Sequence, residues 1–349
     1  MGKLNNYLIE EATKIANENS LPWNYFKKRT IVITGGTGLV CSQLVRALLS
    51  RNSLHFLHAN LVLPVRNIEK AQSMFGTRSD IQYVKWELGS PLPEINGADF
   101  FVHGACSTSN KDFQMKPATI ISQIVNGGKE TLEFSLAKSV KKYVFLSTME
   151  VYGEVDSQAT EDNLGKLDPM IVRNSYPEAK RLVECLCASY YAEFKVPALT
   201  LRLAQTFGEG ASRNDPRVFA EFSRDALDGN NIVMFSDGAK RNPYLSVDDA
   251  TRAIIIALAN GKPGEAYNVA NEETYCSVKE MAEIVLKHFG SKTAKIIRKD
   301  DPKRAATFAK SPDLKLDTTK MKSIGWAPKD SLKDMYSSMI HGWNYEENN

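Results

Sequence analysis

The feature that most constrains the fold is a glycine-rich turn between a β-branched apolar run and a helical pattern. Ile31-Val32-Ile33 precedes Thr34-Gly35-Gly36-Thr37-Gly38, and apolar residues at helical spacing begin at Leu39. Glycines in such a turn let the backbone approach a pyrophosphate, and the helix that follows presents free N–H groups to it. The order of strand, glycine turn and helix therefore predicts a dinucleotide-binding site.

A second motif, Tyr176-x-x-x-Lys180, places a phenol and an ammonium on one face of a predicted helix. The ordinary pKa of tyrosine, about 10, is too high for a base near neutral pH. A neighbouring ammonium stabilises the phenolate and can hydrogen-bond the nicotinamide ribose. Thr148, at the end of the fifth predicted strand, can orient the reacting oxygen. A hydride carrier beside a proton-transferring phenol predicts an alcohol–ketone oxidoreductase.

The alternation of apolar patterns predicts an α/β fold with a doubly wound, Rossmann-like parallel sheet. Strand-like runs occur at 30–34, 60–65, 81–86, 99–103, 142–147 and 197–202, and long helices near 114–138 and 176–194. We expect a helical extension over 1–28, a dinucleotide-binding domain over 29–202 and a smaller α/β lobe over 203–349. That lobe mainly binds substrate, and segments of it can return to the first domain.

Composition excludes several functional classes. The chain of 349 residues, 43% hydrophobic, can bury a substantial core. Its net charge of +3, without basic blocks interleaved with aromatics, argues against nucleic-acid binding. We expect a cytoplasmic protein, because no apolar run approaches the about 18–20 residues of a membrane span and Met1 to Lys14 lacks a signal-peptide core. The cysteines form no C-x-x-C pair, so we expect buried thiols and no metal site.

The end of the second strand discriminates between the two nicotinamide dinucleotides. An acidic residue there accepts hydrogen bonds from the ribose 2′-hydroxyl and repels a 2′-phosphate. This chain reads Leu61 to Asn67 there, a stretch with Arg66 and no carboxylate, and Lys70 is nearby. A guanidinium can clamp a 2′-phosphate, so we predict NADP(H). The alternative is NAD(H), with Arg66 as a solvated residue at a strand end.

The other expected cofactor contacts follow the first, third and fourth strands. They are Gly35, Thr37, Gly38, Leu39 and Val40 at the pyrophosphate, Glu87 and Leu88 at the adenine, and Gly104, Ala105 and Cys106 at the ribose and pyrophosphate. The third glycine of the usual fingerprint is replaced by Cys41. Because cysteine is small, we expect the change to be tolerated with a slight shift of the helix.

Together these motifs resemble those of the extended short-chain dehydrogenase/reductases that act on nucleotide sugars. That family includes epimerases, 4,6-dehydratases and nucleotide-glucuronate decarboxylases. The resemblance covers about 30–340, with matches at Thr34 to Gly38, Asn126 to Gly128, Ser147 to Gly153, Tyr176 to Lys180, Arg202 to Gly210, Arg241 to Asp249 and Gly325 to Pro328. It implies a nucleotide-diphosphate sugar bound under the C-terminal lobe and a homodimer formed through the two long helices.

The resemblance also implies a set of substrate contacts. Arg241 matches the arginine that usually contacts the diphosphate, and arginine forks suit phosphates. Arg217 and Arg304 are further candidates, although either could be a solvated surface residue. Ser107 and Gln205 complete the set with Met149; Gln205 replaces the usual asparagine and keeps the amide.

The departures from the family pattern bear on the reaction. The 4,6-dehydratases carry Asp-Glu after the catalytic threonine, whereas this chain carries Met149-Glu150. Methionine cannot donate a proton, which argues against dehydration by that route. Glu150 leaves proton abstraction available, or it is a structural carboxylate at the cleft edge. A decarboxylase-like site is compatible with this stretch.

We therefore predict an NADPH-dependent reductase of a nucleotide-activated keto sugar, with Thr148, Tyr176, Lys180 and Glu150 as catalytic residues. Trp23 and the stretches 149–153 and 204–208 look similar to a bacterial subgroup, linked to surface polysaccharides, that reduces CDP-linked ketoses to CDP-alditols. The alternative is a redox-neutral nucleotide-sugar epimerase, 4,6-dehydratase or decarboxylase with tightly bound NAD. A dinucleotide sensor without catalysis is a third hypothesis, which the intact tyrosine and lysine disfavour.

Overall fold

The computed structural model describes residues 6–107, 113, 115–155, 158–299, 301 and 313–347. The strands are β1 Thr30–Thr34, β2 Asn60–Val65, β3 Ile81–Lys85, β4 Phe100–His103, β5 Lys142–Thr148, β6 Ala198–Leu203, β7 Gln205–Phe207, β8 Ile232–Met234, β9 Arg241–Ser246, β10 Ala266–Val269, β11 Asn271–Ser277 and β12 Ile296–Arg298. The α-helices are α1 Asn6–Ala16, α2 Leu39–His55, α3 Ile68–Phe75, α4 Pro117–Ala137, α5 Ser175–Phe194, α6 Val218–Leu227, α7 Val247–Asn260, α8 Val278–Phe289, α9 Thr319–Ser323 and α10 Leu332–Glu347.

The main sheet has seven parallel strands in the order β10-β6-β5-β4-β1-β2-β3. The chain winds outward from β1 to β3 and then crosses to β4, so the strand order reverses between β1 and β4. Ligands bind at such a switch point, outside the carboxyl ends of the strands. The predicted doubly wound parallel sheet is confirmed, and its six predicted strands agree with the observed ones to within a residue at each end.

The second half of the chain contributes to this sheet as well as to smaller ones. β10 pairs in parallel with β6, and α7, which leads to it, packs against α2 and β5. β7, β9 and β11 form a three-stranded sheet, and β8 pairs with β12. A second core cluster lies among these elements, in which the rings of Phe207 and Phe219 stack with centroids 4.5 Å apart.

The helix before the first strand is built into the fold. Leu8, Ala12 and Ile15 lie on one face of α1, are buried, and pack in the region of α2. The ring of Tyr7 stacks on His341 of α10, with centroids 4.5 Å apart. Burial of one such aliphatic side chain contributes about 1.5–3 kcal/mol, so α1 stabilises the fold through its contacts with α2 and α10. Within the described ranges, no helix combines the length and the apolar character needed to cross a membrane.

Candidate active site

The glycine turn lies directly against the loop that follows β4. Gly35 has a φ of +73°, and a Cβ at this position would lie 2.6 Å from the carbonyl carbon of Gly104. Only glycine fits there, because the obstacle is backbone. Gly38 is the N-cap of α2, and no described side chain caps it, so its first-turn N–H groups are available to a ligand. These features fit the pyrophosphate of a dinucleotide.

Cys41 fills the space beside Gly104, where any other residue would have a side chain. Its Sγ would lie only 2.4 Å from a Cβ placed on Gly104, so the thiol packs into the place of that missing side chain. Burial raises the pKa of Cys41 to about 12, which keeps the thiol neutral. All five cysteines are free thiols, and Cys185, contrary to the expectation of buried thiols, is exposed. Among the described residues, no His, Cys, Asp or Glu cluster could hold a metal ion.

The carboxyl end of β5 holds the two residues of the tyrosine–lysine motif. The Tyr176 hydroxyl lies close to the Thr148 side chain, and Lys180 Nζ donates a 2.8 Å hydrogen bond to the Leu146 carbonyl. Burial, with smaller contributions from nearby acidic groups, raises the pKa of Tyr176 well above its ordinary value, while the Thr148 side chain lowers it. The resting phenol is therefore protonated, and its ring stacks on Phe113 with centroids 4.4 Å apart.

Glu150 lies beside this group and is partly exposed. Its carboxylate forms a 3.0 Å ion pair with Arg173, whose guanidinium lies over the Phe113 ring. Lys240 is within electrostatic range of both: burial lowers the pKa of Lys240, and the Glu150 charge raises it. Neither cation was a predicted site residue. The spacing of Arg173, one helical turn before Tyr176, was the available signal for it.

The remaining predicted cofactor contacts line the same edge of the sheet. Arg66 is exposed directly after β2, and its carbonyl accepts a hydrogen bond from Lys85 Nζ. Glu87 is exposed, while the Leu88 side chain lies against the backbone of Gly127 on α4. Ala105, Cys106 and Ser107, which follow β4, are partly buried at this edge. Thr37, in the glycine turn after β1, is also partly buried.

The predicted substrate residues have different surroundings. Gln205 is half-buried at the start of β7, whereas Met149 is buried in the main core cluster. Arg217 is ion-paired with Asp215 at 2.7 Å. Arg304 lies outside the described residues.

Arg241 is also paired within the protein, with Glu280 at 2.9 Å, and its guanidinium lies over the Tyr275 ring. Because successive side chains of an extended segment point in opposite directions, Lys240 lies on the side of Glu150 and Arg173 instead. An arginine already paired in this way has to exchange its carboxylate for a phosphate when it binds a nucleotide.

A Rossmann-like sheet with a glycine turn, a buried tyrosine and an anchored lysine defines an oxidoreductase of the extended short-chain dehydrogenase/reductase type. Residues 31–270 match the NAD dependent epimerase/dehydratase family, which is more than half of the chain. The chain belongs to this family, and it is an enzyme of that type.

Three similar proteins illustrate its breadth. The UDP-N-acetyl-alpha-D-glucosaminuronate decarboxylase of Bacillus cytotoxicus is 29% identical, over 85% of this chain and 92% of its own. The dTDP-D-glucose 4,6-dehydratase of Mus musculus is 24% identical, over 95% and 94% of the two chains. The crystal structure of UDP-glucuronic acid 4-epimerase from Bacillus cereus, in complex with UDP-glucuronic acid and NAD, superposes with a TM-score of 0.73 at 21% identity, covering 92% of this chain and 100% of that chain.

Proposed function

We propose that this protein transforms a nucleotide-diphosphate sugar without net oxidation or reduction, using NAD(H) that is recycled in each turnover. The observation that carries this proposal is the Glu150 carboxylate beside Tyr176, paired with Arg173. A simple carbonyl reduction needs one proton donor, whereas oxidation followed by chemistry at a neighbouring carbon needs a second group that moves protons. The redox-neutral enzyme, which was the alternative in the sequence analysis, is therefore preferred here over the NADPH-dependent reductase.

The similar proteins support the same proposal. Their names describe a decarboxylase, a 4,6-dehydratase and a 4-epimerase of nucleotide sugars. Each of these overall reactions balances without an external reductant. Met149 is buried in the core and carries no proton, so the acid that water elimination requires is lacking at that position. The site therefore favours decarboxylation or epimerisation over dehydration.

The residues present fit a nicotinamide dinucleotide. The turn Gly35–Gly38 and the start of α2 would hold its pyrophosphate, and Gly104 to Cys106 would flank the ribose. When bound, the cofactor supplies a hydride acceptor and, later, a hydride donor. Nicotinamide chemistry of this kind requires a proton to leave and return at the same sugar oxygen.

Side chains of this protein remove that proton from the sugar oxygen and return it. Once its own proton has passed to solvent water, the Tyr176 phenolate accepts the proton from the sugar hydroxyl and later returns it. Lys180, held at the Leu146 carbonyl, places a positive charge beside the phenolate. Thr148 hydrogen-bonds the reacting oxygen. Glu150 acts at the carbon next to the one that is oxidised: it donates the proton that replaces CO₂ in a decarboxylation, or removes and returns one proton in an epimerisation at that carbon.

Product analysis tests this function. Purified protein with a small amount of NAD⁺ is incubated with UDP-, dTDP- and CDP-linked hexoses and hexuronates, and the products are resolved by chromatography and mass spectrometry. We expect an isomer, or a product lighter by one CO₂, without accumulation of NADH. Stoichiometric oxidation of NADPH with a nucleotide-linked ketose would contradict the proposal.

That contrary result would establish the second candidate, an NADPH-dependent reductase of a nucleotide-activated keto sugar such as a CDP-ketose. One observation favours it: Arg66 is exposed directly after β2, and residues 61–67 hold no carboxylate to repel a 2′-phosphate.

We further propose that the protein is a homodimer through α4 and α5. Of the apolar residues on these helices, Ile120 and Ile124 are buried in the core, whereas Ile121 and Leu182 are 40% and 47% exposed. Exposed aliphatic side chains on two adjacent helices support a partner surface. Light scattering tests it: Ile121→Asp should convert a dimer into a monomer, and a monomeric unsubstituted protein would exclude it.

A further inference from the structure

A hydrogen bond that involves none of the proposed catalytic residues also joins β5 to α5. Ser147, which stands between Leu146 and Thr148, donates a 2.5 Å hydrogen bond to the Glu184 carboxylate. Two consecutive strand residues are thus each hydrogen-bonded to one helix residue, Leu146 through its carbonyl and Ser147 through its hydroxyl, and the next strand residue, Thr148, lies close to Tyr176.

The three helix residues are Tyr176, Lys180 and Glu184, each four positions from the next. Residues at this spacing lie on one helix face, so the contacts of the strand end all fall on one face of α5. The first two belong to the catalytic group. The third has no part in the chemistry, yet it is held to the same strand by a charge-assisted bond, which is stronger than a bond between neutral groups.

Glu184 is also held from its other side. Arg202 of β6 donates from Nη2 at 2.8 Å and from Nε at 3.1 Å to the same carboxylate oxygen, and both side chains are almost completely buried. The guanidinium further donates to the hydroxyl of the buried Tyr152 at 3.0 Å. A carboxylate with these donors has one orientation, because rotation would leave a buried charge unpaired.

We propose that Glu184 is a positioning residue of the reaction: with Ser147 and Arg202 it sets the register of α5 against β5, and so the separation of the Tyr176 and Thr148 hydroxyls. Both hydroxyls must meet one substrate oxygen, and a displacement of about 1 Å can lower a rate about 100-fold. The proposal rests on the proposed function only in requiring a reaction that passes through Tyr176, which net reduction does as well.

The most informative variant is Ser147→Ala, because Glu184 keeps its arginine partner. The matched control is Ser223→Ala, which deletes an equally buried hydroxyl that donates to the Phe219 carbonyl far along the chain. We expect Ser147→Ala to lower kcat about 10- to 100-fold with KM within about twofold, and to move the pH profile of kcat. Ser223→Ala should change stability alone, and Ser147→Thr, which keeps the hydroxyl, should restore activity.

A second measurement needs no substrate. In protein labelled with 3-fluorotyrosine, the ¹⁹F resonance of Tyr176 is assigned by its absence in Tyr176→Phe. We expect Ser147→Ala to shift this resonance and Ser223→Ala to leave it in place. An unshifted resonance, or a kcat for Ser147→Ala within about twofold of the unsubstituted enzyme, would overturn the positioning role. A shifted resonance without turnover of any nucleotide sugar would support it while contradicting the proposed function.

Discussion

Glu209 and Asp248 bring two carboxyl groups so close together in the interior of the protein that each shifts the pKa of the other. Both residues are buried, and Asp248 also accepts a 2.8 Å hydrogen bond from Gln43 Nε2. Burial and the Asp248 charge raise the pKa of Glu209 well above its ordinary value, and the Glu11 charge adds to this. Glu209 is therefore the carboxyl group that carries the proton, and Asp248 lies beside Arg252.

This pair makes stability depend on pH in a defined direction. Because the pKa of Glu209 is higher in the folded chain than its unfolded value of about 4.3, its contribution is complete below that value and is lost as pH rises through the folded pKa. Glu209→Gln keeps a donor without the ionisation. We expect its free energy of unfolding in urea to fall less, as the pH rises above about 4.3, than that of the unsubstituted protein. The control is Glu10→Gln, at an exposed position on α1. The same pH dependence in the unsubstituted protein and in both variants would contradict the pairing of Glu209 with Asp248.

Removal of the Tyr176 hydroxyl should separate catalysis from binding. We expect Tyr176→Phe to lower kcat about 10²- to 10⁴-fold, because the proton at the sugar oxygen loses its carrier. The dissociation constant of NADH should change by less than about twofold, since the ring and its contact with Phe113 remain. Tyr191→Phe, an exposed position on the same helix, controls for the substitution. Near-normal turnover in Tyr176→Phe would show that another group moves the proton.

Two reasons for glycine at position 35, its positive φ and its contact with the Gly104 backbone, can be separated by experiment. Gly35 and Gly76 have φ values of +73° and +77°, but a Cβ meets backbone only at Gly35 and nothing within 4 Å at Gly76. Alanine should cost both about 1 kcal/mol through the positive φ. Only Gly35→Ala should also weaken NADH binding, by more than about tenfold, in a fluorescence titration. Equal losses of affinity in the two variants would remove the turn from the cofactor site.

Arg66 decides between the two functional candidates. If NAD(H) is the resident cofactor, NADH should bind at least as tightly as NADPH, and Arg66→Ala should change neither affinity by more than about twofold. A preference for NADPH of tenfold or more, about 1.4 kcal/mol, that disappears in Arg66→Ala would instead establish a phosphate clamp and favour the reductase. The titration requires no knowledge of the sugar.

The local features of the fold were predictable because they depend on neighbours in the chain. The β-branched residues before Gly35 predict a strand. Because the glycines directly follow that strand, they are identified as the turn after it. The predicted helix at 176–194 is observed as Ser175–Phe194. The shared helix face of Tyr176 and Lys180 follows from a spacing of four residues, which any helix would produce.

What the sequence by itself determined is this succession of strands, turns and helices, and with it the edge of the sheet where ligands bind. Which polar and ionisable groups meet inside the protein was decided by tertiary structure: Glu184 with Ser147 and Arg202, and Glu209 with Asp248. Backbone periodicity acts over a few residues and is visible in any window of the chain. The partner of a buried charge is whichever group packing brings within about 3 Å, and packing joins residues that no local pattern connects.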